Sequence, residues 1–167
     1  MVTAMQTSLP SVKLIWSWLD SVADPEIPVV SILDLGIVRD VSWMEKADDS
    51  TLVVTITPTY SGCPATAVIK NDIREALQQK GLSRVQIDTQ LSPAWTTDWL
   101  TERGRSRLLE FGIAPPRPRD QGPSPAVPCP RCSSPDTRLV SQFGSTPCKA
   151  FYICNSCLEP FDYFKCH

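Results

Sequence analysis

Four cysteines near the C-terminus stand in two Cys-x-x-Cys pairs, "CPRC" at Cys129 and Cys132 and "CNSC" at Cys154 and Cys157, with twenty-one residues between the pairs. This layout lets two knuckles of a ribbon bring four thiolates around one tetrahedral ion. A module of about forty residues buries too little core to fold alone, whereas a structural zinc contributes about 10–16 kcal/mol of apparent binding free energy to such a fold. Zinc as a fold staple is the expected occupant. Iron in the same four sulfurs is the alternative, because spacing does not separate the two metals.

Two more cysteines flank the second knuckle, in "CKAFYIC" and "PFDYFKC". If these segments are strands paired antiparallel about the knuckle, residue 153 falls opposite 161, 151 opposite 163 and Cys148 opposite Cys166. Opposed residues lie about 4.5–5.5 Å apart, which suits a reversible disulfide or half of a second metal site. A buried thiol and a solvated terminus are the plainer readings of the pair.

The seventh cysteine, Cys63, sits in "TYSGCPAT" ahead of a helical pattern. A thiol at the first turn of a helix meets free backbone N–H groups and the positive end of the dipole, which favour thiolate. Pro64 sacrifices no hydrogen bond there, and Gly62 lets the chain turn tightly. The geometry suits a reactive or metal-binding sulfur; a small buried hydrophobe is the other reading. Upstream, "DPEIPVVSILDLG" holds Asp24, Glu26 and Asp34 among apolar residues. Acids on such a proline-fixed loop cap helices, face solvent or line a pocket, and the sequence by itself does not bring them to Cys63.

Elements must position these groups. "SVKLIWSWLDSVAD" carries apolar residues at helical spacing with Ser11 as N-cap, and "IVRDVSWM" and "TLVVTIT" read as strands joined by a polar turn. From Pro64 to Lys80, Ile69, Ile73 and Leu77 recur every four residues, with Gly81 as a stop signal; "RVQIDTQL" then alternates as a third strand. The expected fold class is α+β: a small α-β-β-α-β domain over residues 8–113 with a three-stranded sheet and a helical segment near 97–111, then a zinc-ribbon-like β module over 129–167. Between them, residues 114–128 hold six of the sixteen prolines and read as an extended linker.

Absences narrow the chemistry. The only histidine is His167, so the chain has no Glu-x-x-His di-iron site, two-His facial triad or Ser-His-Asp constellation. Nor is there a Walker loop or a dinucleotide glycine fingerprint. An independent oxygenase, reductase or hydrolase is not expected, and no catalytic residue is assigned. With a net charge of −2 and no Lys/Arg run, neither nucleic acid nor an anionic membrane is the expected partner. No signal-like or membrane-spanning segment stands out, so a cytoplasmic protein is expected, and seven cysteines there read as metal or redox chemistry.

"DPEIPVVSILDLGIV" followed by "TPTYSGCPAT" resembles, over roughly residues 10–92, the signature of a small domain family of iron–sulfur protein maturation that includes SufT. "LSPAWTTDWL", "FGIAPP", "FGSTPCKAFYICNSCLEPFDYFKCH" and the paired knuckles extend the resemblance over nearly the whole chain to the PaaD family of phenylacetate degradation. That resemblance implies an accessory factor associated with ring-1,2-phenylacetyl-CoA epoxidase, serving cluster assembly in its iron–sulfur reductase component rather than catalysis. It also implies a shared pocket formed by Asp24, Glu26, Asp34, Thr59, Ser61 and Cys63, and metal ligation by Cys129, Cys132, Cys154 and Cys157.

On this reading Cys63, helped by the loop acids, transiently holds iron or an iron–sulfur cluster while the ribbon docks the reductase. One cysteine does not hold a cluster alone, so a homodimer or ligands from the ribbon must complete the site. A zinc-stabilised adaptor or scaffold of the epoxidase complex is the alternative, and thiol–disulfide exchange through Cys148 and Cys166 is a third reading.

Overall fold

A computed structural model describes residues 9–46, 49–116 and 126–165. Helix α1 (Val12–Leu19) starts at Ser11, whose hydroxyl accepts from the Leu14 N–H at 3.3 Å, and it buries Ile15 and Leu19. Strands β1 (Val38–Lys46) and β2 (Asp49–Ile56) pair antiparallel, from Lys46 opposite Asp49 to Val38 opposite Ile56. Helix α2 (Ala65–Gln78) turns Ala65, Ile69, Ile73 and Leu77 inward, as its four-residue apolar spacing requires. It serves as the crossover that a parallel pairing needs, and β3 (Val85–Thr89) lies parallel to β2 in a sheet of order β1-β2-β3.

After a short 3-10 turn (Thr97–Trp99), helix α3 (Glu102–Glu110) begins at Thr101, whose hydroxyl accepts from the Gly104 N–H at 3.0 Å. α3 packs close to the acidic loop: a Cβ on Gly104 would stand 2.9 Å from the Asp34 carbonyl oxygen, so a side chain there would force the helix away.

The next strand, β4 (Ile113–Ala114), belongs to the C-terminal sheet. It pairs parallel to β7 (Pro160–Phe164), which pairs antiparallel with β6 (Lys149–Cys154), and β6 with β5 (Thr137–Ser141), giving the order β4-β7-β6-β5. The expected linker over 114–128 therefore begins inside the ribbon sheet. Its residues 117–125 lie outside the described residues.

The β6–β7 register differs from the expectation by one residue. Phe151 faces Asp162 and Ile153 faces Pro160, and beyond the ladder the Lys165 N–H donates to the Cys148 carbonyl at 3.0 Å. Cys148 is therefore level with Lys165, not Cys166, because the knuckle closes one residue earlier than a symmetric count about it assumes. Cys148 is buried against the first module's core. Cys166 itself lies outside the described residues.

The ribbon leans on the first module. Ile113, Cys148 and Phe164 are buried in the same apolar cluster as the α1, α2 and β2 core, while Ala114, Val127, Cys129, Cys154 and Phe161 make a smaller cluster under the knuckles.

Candidate metal and thiol sites

The two knuckles face each other at one end of the ribbon. Cys129 Sγ lies 3.7 Å from Cys157 Sγ, Cys132 Sγ lies 3.6 Å from Cys154 Sγ, and all four sulfurs fall within 4.8 Å of one another. A tetrahedral zinc with Zn–S bonds of about 2.3 Å needs S···S edges of about 3.8 Å, close to the two inter-knuckle distances. The sulfurs are too far apart for disulfides. Each knuckle ends alike: Ser133 after Cys132 and Leu158 after Cys157 take φ of 60° and 63°, the left-handed turn that folds the chain back around its sulfurs.

Hydrogen bonds hold the arrangement. The Ser133 N–H donates to the Cys129 carbonyl at 2.9 Å, the Leu158 N–H donates to the Cys154 carbonyl at 3.0 Å, and Arg131 ties one knuckle to Glu159 of the other. The Cys157 N–H, 3.5 Å from Cys154 Sγ, is the main influence that brings the Cys154 thiol down to about 7, toward the thiolate that a metal takes.

The second site lies between the modules. Cys63 directly precedes Pro64, the N-cap of α2, and its carbonyl accepts from the Thr66 N–H at 3.1 Å. Gly62 at φ +86° makes the turn into it, a conformation that favours glycine although the surrounding space is open. Cys63 opens on a pocket that it shares with Asp24, Glu26, Thr59, Thr66 and, from the ribbon, Cys148.

Asp24 has two functions. Its Oδ1 accepts from the Glu26 and Ile27 N–H groups at 2.9 and 2.8 Å, which folds the loop, and the carboxyl also lines the pocket. Burial raises its pKa, against the pull of those two N–H groups. Burial likewise raises Glu26, and the Asp24 charge adds to the effect. Cys148 is 4% exposed with its sulfur 3.0 Å from Thr146 Oγ1; burial pushes its thiol up, and the Glu26 and Asp24 charges push the same way.

Two of the expected pocket residues are elsewhere. Asp34 is fully buried and held by α3: it accepts from Arg103 Nε at 2.6 Å, Arg107 at 2.8 Å and the Ser31 N–H at 3.1 Å. Burial alone would raise its pKa, but these donors prevail and hold it below the usual carboxylate range. It fastens the loop to α3 and does not line the Cys63 pocket. Ser61 is exposed and lines a neighbouring cleft with Tyr60.

Sequence reasoning missed Tyr60, Lys149 and the two arginines. The Tyr60 hydroxyl is buried with no group at hydrogen-bonding geometry to it; burial first, then the neighbouring Cys63 thiol, push its pKa up to about 12. Lys149, 4% exposed, pairs with Asp162 at 3.7 Å and acts on Asp24, Glu26 and Cys148 as a nearby positive charge. Arg103 and Arg107 are spaced by one helical turn, so both reach Asp34 from one face of α3.

Two family models match separate parts of the chain. Residues 114–165 match the family described as "PaaD zinc beta ribbon domain", and residues 13–88 match "Iron-sulfur cluster assembly protein". The chain is 53% identical over 159 residues, 94% of each chain, to an Escherichia coli (strain K12) protein named as a putative 1,2-phenylacetyl-CoA epoxidase subunit. It is 37% identical over 57% of its length to a Porphyromonas gingivalis (strain ATCC BAA-308 / W83) protein named "Fe-S protein maturation auxiliary factor", covering 85% of that protein. A solved domain of unknown function, DUF59, from Bacillus anthracis is similar at 26% identity and TM-score 0.51, over 57% of this chain and 89% of that one. The matched ribbon and the gathered sulfurs of Cys129, Cys132, Cys154 and Cys157 together fit a structural zinc site.

Proposed function

Because the chain belongs to the PaaD family, with an iron–sulfur assembly domain joined to a zinc ribbon, we propose that it is an accessory factor supplying iron or an iron–sulfur cluster to the reductase component of phenylacetyl-CoA epoxidase. Iron–sulfur assembly or maturation is what the description of its first-module match and the names of two of its relatives have in common. The reductase as client rests on the E. coli relative's name and on the reasoning that, of the epoxidase chemistry, a reductase is the part that carries a cluster.

The observation that carries the reading is the convergence of Cys63, Asp24 and Glu26 on one pocket. A thiol beside two carboxyls is a donor set for iron, and carboxyls whose charge is disfavoured by burial gain from a cation placed between them. Zinc supplies fold energy to the ribbon, and the protein performs no turnover of its own. Its thiols remain reduced in the cytoplasm, and among the described residues no helix is long and apolar enough to cross a membrane.

The test is to co-produce the reductase with the wild type or with Cys63→Ala and measure iron and acid-labile sulfide in the purified reductase. The reading expects full clusters with wild type and a largely apo reductase, at equal polypeptide yield, with the variant. A cluster-filled reductase beside Cys63→Ala would overturn it and leave the adaptor reading, which the exposed Leu139, Val140 and Phe143 around edge strand β5 favour as a contact surface.

A further inference from the structure

We propose that Cys148 is the second sulfur of the Cys63 pocket, and that Cys63, Cys148 and Glu26 together take a single divalent transition-metal ion, ferrous iron when the pocket works as described above. This rests on the reading of Cys63 as a cargo thiol and names what completes that site.

The two sulfurs come from different modules, Cys63 from the approach to α2 and Cys148 from the residue before β6, yet both line one pocket with Asp24 and Glu26. Cys148 is buried against the first module's core although it belongs to the ribbon chain. The groups sense one another: Tyr60 responds to Cys63, Glu26 and Cys148, and Cys148 to Glu26 and Asp24.

Two features choose a single ion. The cavity volume is about 10 Å³. That is about one water-sized sphere, enough for an ion but not for a cluster. Two sulfurs with a carboxylate form a mixed soft and hard donor set, which suits divalent iron, cobalt or zinc and not magnesium or calcium. A disulfide would give the two acids no role. Among the described residues only the ribbon cysteines already stand as a tight set of three or more ligand atoms, so Cys63, Cys148 and Glu26 must close on an ion to hold it. Of the two ways to complete the Cys63 site, a homodimer or the ribbon, the geometry points to the ribbon.

The experiment titrates cobalt(II), under argon, into full-length protein whose ribbon zinc is retained and measured. One extra cobalt with a thiolate charge-transfer band is expected in the wild type. Cys63→Ser and Cys148→Ser should each weaken binding by at least about tenfold, and Cys166→Ser should leave it unchanged. X-ray absorption on the wild-type complex, which needs no variant to fold, should count two sulfurs on cobalt. One sulfur, or binding by Cys148→Ser equal to wild type, overturns the role of Cys148 while leaving Cys63 as cargo thiol. No cobalt beyond the zinc overturns the site outright, and the reductase assay with Cys63→Ala then shows separately whether the maturation reading survives.

Discussion

Phe164, in the last strand of the ribbon, stands edge-on to Trp95 of the first module, with ring centroids 5.9 Å apart and an interplanar angle of 66°. Both rings are buried, and the Trp95 indole N–H donates to the Leu35 carbonyl at 2.8 Å, so one contact links β7, the segment after β3 and the acidic loop. Phe164 also forms part of the Cys63 pocket wall. The thiol pocket therefore depends on the ribbon being seated.

Phe164→Ala should cost about 3–5 kcal/mol, the range for removing a buried aromatic ring, and loosen the ribbon from the first module. Urea unfolding reads the loss. Faster alkylation of Cys63 and Cys148 below the unfolding transition would show that the pocket opens first.

Zinc removal should act at a distance. A strong chelator, or Cys154→Ser, is expected to melt the ribbon sheet while leaving α1, α2 and the three-stranded sheet folded, because those elements have their own core. Hydrogen exchange should rise in β5, β6 and β7 and stay slow in β2 and α2. Since Cys148 and Phe164 leave with the ribbon, Cys63 should become more reactive to alkylation as zinc is lost.

Asp34→Asn should destabilise the fold by about 1–2 kcal/mol, since it removes the buried carboxylate that accepts from Arg103 and Arg107 while leaving both half-exposed guanidiniums solvated. The sign with pH follows from its lowered pKa. The wild-type contribution is fully present above the unfolded value of about 3.9 and is lost as pH falls from there through the depressed folded value. Asp20, lowered chiefly by its hydrogen bond from Arg103, adds to the same slope. Urea midpoints measured across that acidic window should fall steeply in the wild type and less in the variant.

Asp24→Asn should do the reverse. Asn keeps an oxygen for the Glu26 and Ile27 N–H groups but removes a buried charge, so a gain on the order of 1 kcal/mol at pH 7 is expected. Because the folded pKa of Asp24 is raised, the wild-type penalty is fully present above that value and fades as pH falls toward the unfolded one, so the two proteins should converge in acid. A more thermostable variant that supports less reductase maturation would mark Asp24 as a residue kept for function at a cost in stability.

Much was legible in the chain alone. Cys-x-x-Cys spacing announced the four-sulfur centre because both members of each pair sit on one short knuckle, where local sequence sets geometry. Four-residue spacing of Ile69, Ile73 and Leu77 announced α2, and alternation announced β3, because a helix or strand displays its buried face as a local period. The turn at Gly62 and Pro64 was equally local.

What remained hidden was set by contacts between distant segments. Asp24, Glu26 and Asp34 are alike in sequence, yet the first two line the thiol pocket and the third is held by α3, because Arg103 and Arg107 lie far along the chain from the loop they fasten. Which residue lies level with Cys148 turned on a single residue in the β6–β7 register, which no composition or period records. Tertiary packing alone took a cysteine of the ribbon and set it in the pocket of the domain before it.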